Sequence, residues 1–173
     1  MKAIVCCDLN WGIGRNNDLL FKIPEDMKNF RQRTLNKVVV MGRNTLLSLP
    51  GGLPLKDRTN LVLSSTMVRD GIEIFPSVDL LLDRLKAFNT ADVFIIGGDS
   101  VYKLMLDRCG EALVTKVKAK ADADAFFPNL DQLPNWRLKN STNFESSSGY
   151  ELTFCEYENL AVLNAKAVPT ITQ

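Results

Sequence analysis

Asp26 stands in the stretch Phe21-Lys22-Ile23-Pro24-Glu25-Asp26-Met27-Lys28-Asn29-Phe30-Arg31, which sets one carboxylate among apolar side chains at the mouth of a helix. Pro24 suits the first helical position, where its missing N–H costs nothing, and it pushes Ile23 into an extended conformation. A helix is therefore expected to begin near Pro24. At about 100° per residue, Ile23, Met27, Phe30 and Thr34 form one stripe and Asp26 falls at its edge, near Phe30, while Glu25 and Lys28 point elsewhere. An acid in a first turn has an ordinary use, favouring the positive end of the helix dipole by a few tenths of a kcal/mol to about 1 kcal/mol. It also has a chemical one, because a half-buried carboxylate accepts two parallel hydrogen bonds from a ligand with two N–H donors.

Other chemistries are closed to the chain. It contains no histidine, which removes the usual general acid or base, the triads and most zinc sites. The four cysteines, Cys6, Cys7, Cys109 and Cys155, have no metal-ligand spacing, and no metal is expected. Cys6 and Cys7 point to opposite faces of a strand, and all four read as buried thiols in a reducing compartment. A formal charge of +1 supplies no field for gathering nucleic acid, so any acidic ligand must be met locally. After Met1 and Lys2 only five apolar residues precede Asp8, too few for a signal-peptide core, and no run approaches a membrane span. A cytoplasmic protein without a membrane or nucleic-acid partner is expected.

The elements that must position Asp26 fit one domain of 173 residues. The unbroken apolar run Ala3 to Cys7 reads as a strand covered on both faces, as in the middle of a largely parallel sheet. Asn10 to Lys22 contains Gly12, Gly14, Asn16 and Asn17, which tolerate positive φ, and reads as a long loop of the kind that forms lids. Lys37 to Met41 is a second strand. Gly42 to Thr45 turns it into the short segment Leu46 to Leu49, and Pro50 to Pro54 breaks the chain. Arg58 precedes strand Asn60 to Leu63, which Ser64-Ser65-Thr66 closes, and Gly71 to Phe75 alternates as a short strand. Ser77 is a candidate N-cap for a helix running to about Phe88. Val93 to Ile96 leads through Gly97-Gly98-Asp99-Ser100 into a helix from about Val101 to Leu106. Ala112 to Lys118, Trp136 to Ser141 and Tyr150 to Glu158 complete the sheet, with Asp122 to Asn129 as a connection. Residues 1–158 are expected to form the domain, and 159–173 a loosely held tail.

Two strand-to-helix turns with glycine on parallel strands would put two anion-binding helix ends on one edge of the sheet. Neither is the G-x-G-x-x-G fingerprint, and each alone is also a common tight turn. Arg43 on one strand end and Ser64-Ser65 on the next bring a guanidinium and hydroxyls together, which is chemistry suited to a ribose 2′-phosphate and so to NADPH over NADH.

Val39-Val40-Met41-Gly42-Arg43-Asn44-Thr45, Leu63-Ser64-Ser65, and Ile95-Ile96-Gly97-Gly98-Asp99-Ser100-Val101-Tyr102, with Ile23-Pro24-Glu25-Asp26 upstream, closely resemble the dihydrofolate reductase family of bacterial type, in order and spacing from about residue 2 to 158. The resemblance implies an α/β single domain with an eight-stranded, mostly parallel central sheet flanked by four helices. It implies NADPH-dependent reduction of 7,8-dihydrofolate to tetrahydrofolate, a monomer, and antifolates as ligands. Asp26 would hold the pterin N3–H and 2-amino group, with Thr115 bonded to the same carboxylate and Phe21 beside it. Ile4, Cys6, Met27, Phe30, Leu49, Leu55 and Ile96 would line the pterin and benzoyl pocket. Arg58 would clamp the glutamate α-carboxylate, with Arg31 as a looser basic neighbour. On the cofactor side the family pattern carries over to Gly42, Arg43, Asn44, Thr45, Ser64 and Ser65. It continues along Gly97, Gly98, Asp99, Ser100, Val101 and Tyr102, and takes in Cys7, Ile13 and Leu19. A cis peptide between Gly97 and Gly98 is part of the pattern.

The chain departs from the family in two places. Leu20-Phe21 replaces the usual Pro-Trp, and phenylalanine has no N–H with which to hold a water near the pterin. Asn44, Leu46 and Ser100 stand where many relatives have a basic residue, an aromatic and an arginine, which removes cationic contacts worth about 1 kcal/mol or less each. Two other readings share some features: a folate- or nucleotide-binding module without turnover, and the pyrimidine-type reductase of riboflavin synthesis. The Asp26 helix and Arg58 favour folate over the latter.

Overall fold

The computed structural model describes residues 1–163. An eight-stranded sheet has the order β10-β11-β8-β1-β7-β4-β5-β6, where β1 is Lys2–Cys7, β4 Val38–Gly42, β5 Thr59–Leu63, β6 Glu73–Phe75, β7 Val93–Gly97, β8 Glu111–Val117, β10 Trp136–Glu145 and β11 Glu151–Asn159. β11 runs antiparallel to both neighbours and the other pairings are parallel. Four helices flank it: α1 Pro24–Thr34, α2 Arg43–Ser48, α3 Val78–Leu85 and α4 Asp99–Met105. This is the α/β, single-domain, mostly parallel architecture expected. Among the described residues, no helix is long and apolar enough to cross a membrane.

The two faces of the sheet are packed differently. On one, Ala3, Val5 and Cys7 of β1 join Val40, Ile95, Leu81, Leu85, Val101 and Met105 in one continuous core with α3 and α4. The other face is broken into small clusters. Leu46 of α2 packs with Val39, Met41 and Val62, Ile4 with Phe94 and Leu113, and Ile23 with Val117 and Leu152. A sheet face that folding does not close leaves room for something else.

Several boundaries differ from the sequence reading. Asn10 to Lys22 is not an irregular loop: β2 (Gly12–Arg15) and β3 (Asp18–Leu19) form a hairpin, and β9 (Ala125–Phe126) pairs with β2 as a third strand. Asn16 and Asn17 take positive φ (48° and 62°) at its turn, and so does Trp11 (62°), whereas Gly12 and Gly14 do not. Those glycines are matched to close approach, since a Cβ on Gly12 would lie 2.6 Å from the Ala123 Cβ and one on Gly14 2.9 Å from the Asp18 carbonyl oxygen. Helices α2 and α4 begin at Arg43 and Asp99, so the glycine turns take no more than one or two residues. β10 continues to Glu145 as the exposed edge, which puts β11 inside the sheet. Asn159 is not in a loose tail. It ends β11, its side chain donates to the Cys109 carbonyl at 3.0 Å, and the Leu163 N–H donates to Asp107 O at 2.8 Å. Residues 164–173 of the expected tail lie outside the described residues.

Candidate active site

Helix α1 starts where the sequence places it. Ile23 is its extended N-cap (φ −100°, ψ 119°), and Pro24 follows at the first helical position. An isoleucine cannot cap, and no side chain bonds the first turn, so Ile23 is held instead by burial against Val117 and Leu152. One turn on, Asp26 is half-buried over β1 and β8. Cys6 and Thr115 are register partners on those adjacent parallel strands, and their thiol and hydroxyl both bond the Asp26 carboxylate. Burial raises the Asp26 pKa from the ordinary carboxylate value, and those two bonds oppose the rise without cancelling it. Burial also pushes the Cys6 thiol up, so at neutral pH it is a protonated donor to Asp26. Cys6 belongs to the Ile23 cluster, whereas Ile4, two residues back on the same strand face, belongs to the next. Asp26 therefore lies at the seam between two apolar clusters.

The expected substrate-pocket residues surround that seam. Phe30 packs on the Ile4 cluster, Ile96 bridges it to the α2 cluster, and Leu49 and Leu55 pack on the latter. Met27 is 53% exposed on the open side of α1, so the stripe predicted to be buried is buried only at Ile23 and Thr34. At the far end of α1, Arg58 Nε donates to Thr34 Oγ1 at 3.3 Å and Nη1 to the Lys56 carbonyl at 2.7 Å, which fixes the guanidinium. Burial, then the like charge of Arg31, lowers its pKa, and the Arg58 guanidinium remains cationic. Like positive charge at this end of α1 suits a carboxylate ligand.

A cleft of about 490 Å³ opens at the ends of β4, β5 and β7. It gathers Gly42, Arg43, Asn44 and Thr45 from one turn, Ser64 and Ser65 from the next, and Gly98, Asp99, Ser100 and Val101 from the third. The N-caps of α2 and α4 are Gly42 and Gly98, which carry no side chain to cap the first-turn N–H groups. The Gly97–Gly98 peptide is cis. Gly97 has φ 135°, and a Cβ there would lie 3.2 Å from Thr45 Oγ1. Pro76, Ser77, Val78 and Leu104 also line this cleft. Ser77 caps α3, accepting from the Leu80 N–H at 3.4 Å. A strand running into a capping serine was the signal for a third strand-to-helix turn on this edge.

Other expected cofactor residues are not in that cleft. Cys7 is fully buried in the core on the α3 and α4 side. Leu46, one of the departures from the family, is buried in the α2 cluster, so the missing aromatic there is a matter of packing. Ile13 packs partly on the main core, and Leu19 is 58% exposed on β3. Tyr102 is buried, and its hydroxyl donates to the Ile4 carbonyl at 2.7 Å. Phe21 borders the Ile23 cluster and meets the ring of Tyr150 edge-on, at 5.4 Å between centroids.

Sequence reasoning passed over the anchors of the hairpin. Buried Asp8 accepts from the backbone N–H of Asn10 (2.8 Å), Gly12 (2.8 Å) and Ala121 (2.9 Å). Asp124 accepts from the Asn16 N–H at 2.9 Å, and its own N–H donates to Gly14 O at 3.0 Å. An aspartate next to the last residue of an apolar strand was the available signal for the first.

Comparison with known proteins agrees with this geometry. A family model described as dihydrofolate reductase matches residues 1–159. Similar curated relatives include the dihydrofolate reductases of Schistosoma mansoni (33% identical, covering 91% of this chain and 95% of that one) and Neisseria gonorrhoeae (34%, covering 89% and 94%). The enzyme of Mycobacterium leprae is 37% identical over 69% of this chain and 74% of its own. The match runs through every strand that carries Asp26's partners and the cleft at the strand ends, and the chain belongs to the dihydrofolate reductase family.

Proposed function

We propose that the chain reduces 7,8-dihydrofolate to 5,6,7,8-tetrahydrofolate with NADPH, in one domain that acts as a monomer in the cytoplasm and takes antifolates at the pterin site. The observation that carries the reading is Asp26, a carboxylate pushed toward its neutral form at the seam of two apolar clusters, with only a hydroxyl and a thiol for partners. A pterin amino edge is the complement such a group lacks in the free protein. Its N3–H and 2-amino donors would meet the two carboxylate oxygens, and Thr115 would keep the acid oriented. Ile4, Cys6, Met27, Phe30, Leu49, Leu55 and Ile96 would hold the flat rings, and Arg58 with Arg31 the glutamate carboxylate.

The cleft at the ends of β4, β5 and β7 fits a dinucleotide with an extra phosphate. It combines the Arg43 guanidinium, the hydroxyls of Thr45, Ser64 and Ser65, and two glycine-capped helix starts. When bound, NADPH supplies the hydride that goes from nicotinamide C4 to pterin C6. The chain's own residues do the rest. Ionised Asp26 favours a pterin carrying a proton at N5, with water delivering that proton. The β2–β3 hairpin, tied down by Asp8 and Asp124, would limit the access of bulk water.

The test is a spectrophotometric assay of NADPH oxidation with dihydrofolate. Turnover supports this reading. Binding of both ligands without turnover would make the chain a folate- and nucleotide-binding module, the outcome that Phe21 in place of tryptophan favours.

A further inference from the structure

We propose that Tyr150, together with Glu25, positions Phe21 and the start of α1 for the reaction, so that the turn between β10 and β11 is a working part of the pterin end of the cleft. The inference rests on the reading that Asp26 and Phe21 face the pterin.

The need arises in α1 itself. Its N-cap, Ile23, makes no side-chain bond to the first turn, so the angle at which Asp26 leaves the helix is not set locally. It must be set by contacts from outside. Phe21, two residues before the cap, has no polar atom and can be oriented only by packing.

The β10–β11 turn supplies what is missing. It is closed on itself: the Ser146 N–H donates to Tyr150 O at 2.8 Å, the Gly149 N–H to Ser146 O at 3.0 Å, and the Tyr150 N–H to Ser146 Oγ at 3.2 Å. Gly149 adopts φ 85°, a conformation that favours glycine. From this closed unit two contacts reach the active site. The Ser147 N–H donates to Glu25 Oε1 at 2.8 Å, and the Tyr150 ring packs edge-on against Phe21 with an interplanar angle of 70°. Leu152, two residues further along β11, packs on Ile23. The helix start is thus held at Phe21, Ile23 and Glu25, on both sides of the cap, by one strand and its turn.

Glu25 is not simply a surface acid of the first turn. Its Oε2 is shielded from solvent without a partner while Oε1 takes the Ser147 N–H. A free carboxylate would turn both oxygens to water, so this side chain is held by the turn. Glu25 and Asp26 are adjacent, and displacement of one moves the other.

The experiment compares Tyr150→Leu, Tyr150→Phe and Glu25→Gln with the wild type. Tyr150→Leu should lower kcat roughly 3- to 10-fold, leave the KM for NADPH unchanged and shift the pH profile of kcat, because Asp26 is reoriented. Tyr150→Phe, which keeps the ring edge, should restore all three. Glu25→Gln should act in the same direction, and combined with Tyr150→Leu should give less than the product of the single effects, since both release one segment. An unchanged kcat and pH profile in Tyr150→Leu, a Tyr150→Phe as impaired as Tyr150→Leu, or fully multiplicative effects would each overturn the proposal. Should Tyr150→Leu fail to fold, a nuclear Overhauser contact between the Phe21 and Tyr150 rings of the wild type supports the positioning, and its absence refutes it. Folate affinity by calorimetry separates this proposal from the reading it rests on. A wild type that binds folate without turnover defeats the catalytic reading, and the positioning role then stands or falls on whether Tyr150→Leu weakens folate binding.

Discussion

A carboxylate that folding has pushed toward its neutral form is uncomfortable when ionised, and a ligand bearing two N–H donors relieves it. Asp26 is in that position, and the consequence for stability has a definite sign. Its folded pKa lies above the ordinary value, so its contribution to stability is fully present below the unfolded pKa and is lost as pH rises through the folded one. Asp26→Asn should therefore melt no lower than the wild type at neutral pH, while turnover falls by about 100-fold or more, because the amide cannot serve as a charged two-oxygen acceptor. Thermal melting and steady-state kinetics check the two halves. A variant with normal turnover would remove Asp26 from the mechanism. Folate affinity of the wild type should weaken as pH falls through the Asp26 pKa, and the Asn variant should lose that dependence. Glu25 has the opposite sign. The Ser147 hydroxyl, then its N–H, hold its pKa below the ordinary carboxylate value, so its contact with the turn is present above the ordinary value and is released as pH falls through the lowered one. At the other end of α1, Arg58→Leu should weaken a glutamylated ligand by roughly 10- to 100-fold and leave a pterin without that tail almost unaffected. Equal losses for both, measured by titration, would contradict the assignment to Arg58.

Among the elements, the parallel strands and α1 were legible in the sequence because their signals are local. An apolar run bounded by glycine, or Pro24 after an extended residue, needs no partner to be read. What escaped notice depends on distant contacts. The β2–β3 hairpin reads as loop because its glycines suggest positive φ, yet Gly12 and Gly14 are there to let Ala123 and Asp18 come close, which only the folded β9 segment makes visible. Cys7 is buried on the α3 and α4 side of the sheet and Leu46 of α2 against its other face, and a motif match does not specify that. The approach of Thr115 to Asp26, by contrast, follows the family resemblance rather than a local signal, and the Cys6 thiol joins them because Cys6 and Thr115 are register partners. Two predictions belong to this scale. Asp8→Ala leaves three backbone N–H groups without their acceptor and should cost about 2–3 kcal/mol in urea denaturation. Gly97→Ala forces a Cβ toward Thr45 at a φ of 135°, and should cost about 1–3 kcal/mol and weaken cofactor binding, read by denaturation and fluorescence titration.

The molecule as a whole divides its labour between the two sides of one sheet. A continuous core on the α3 and α4 side carries stability, so the α1 and α2 side can remain in separate clusters with Asp26 at a seam between two of them. The parallel strand ends add the cleft proposed to hold the cofactor phosphates, which is how substrate and cofactor would meet. Arg43→Ala should reduce the preference for NADPH over NADH by about 10-fold or more, and the salt dependence of NADPH binding with it. The most direct measurement is a crystal structure of the chain with folate and oxidised cofactor. The expected result is pterin N3 and the 2-amino nitrogen within hydrogen-bonding distance of the two Asp26 oxygens, with the nicotinamide against the pterin. A pterin bound elsewhere, with Asp26 turned to solvent, would contradict the reading.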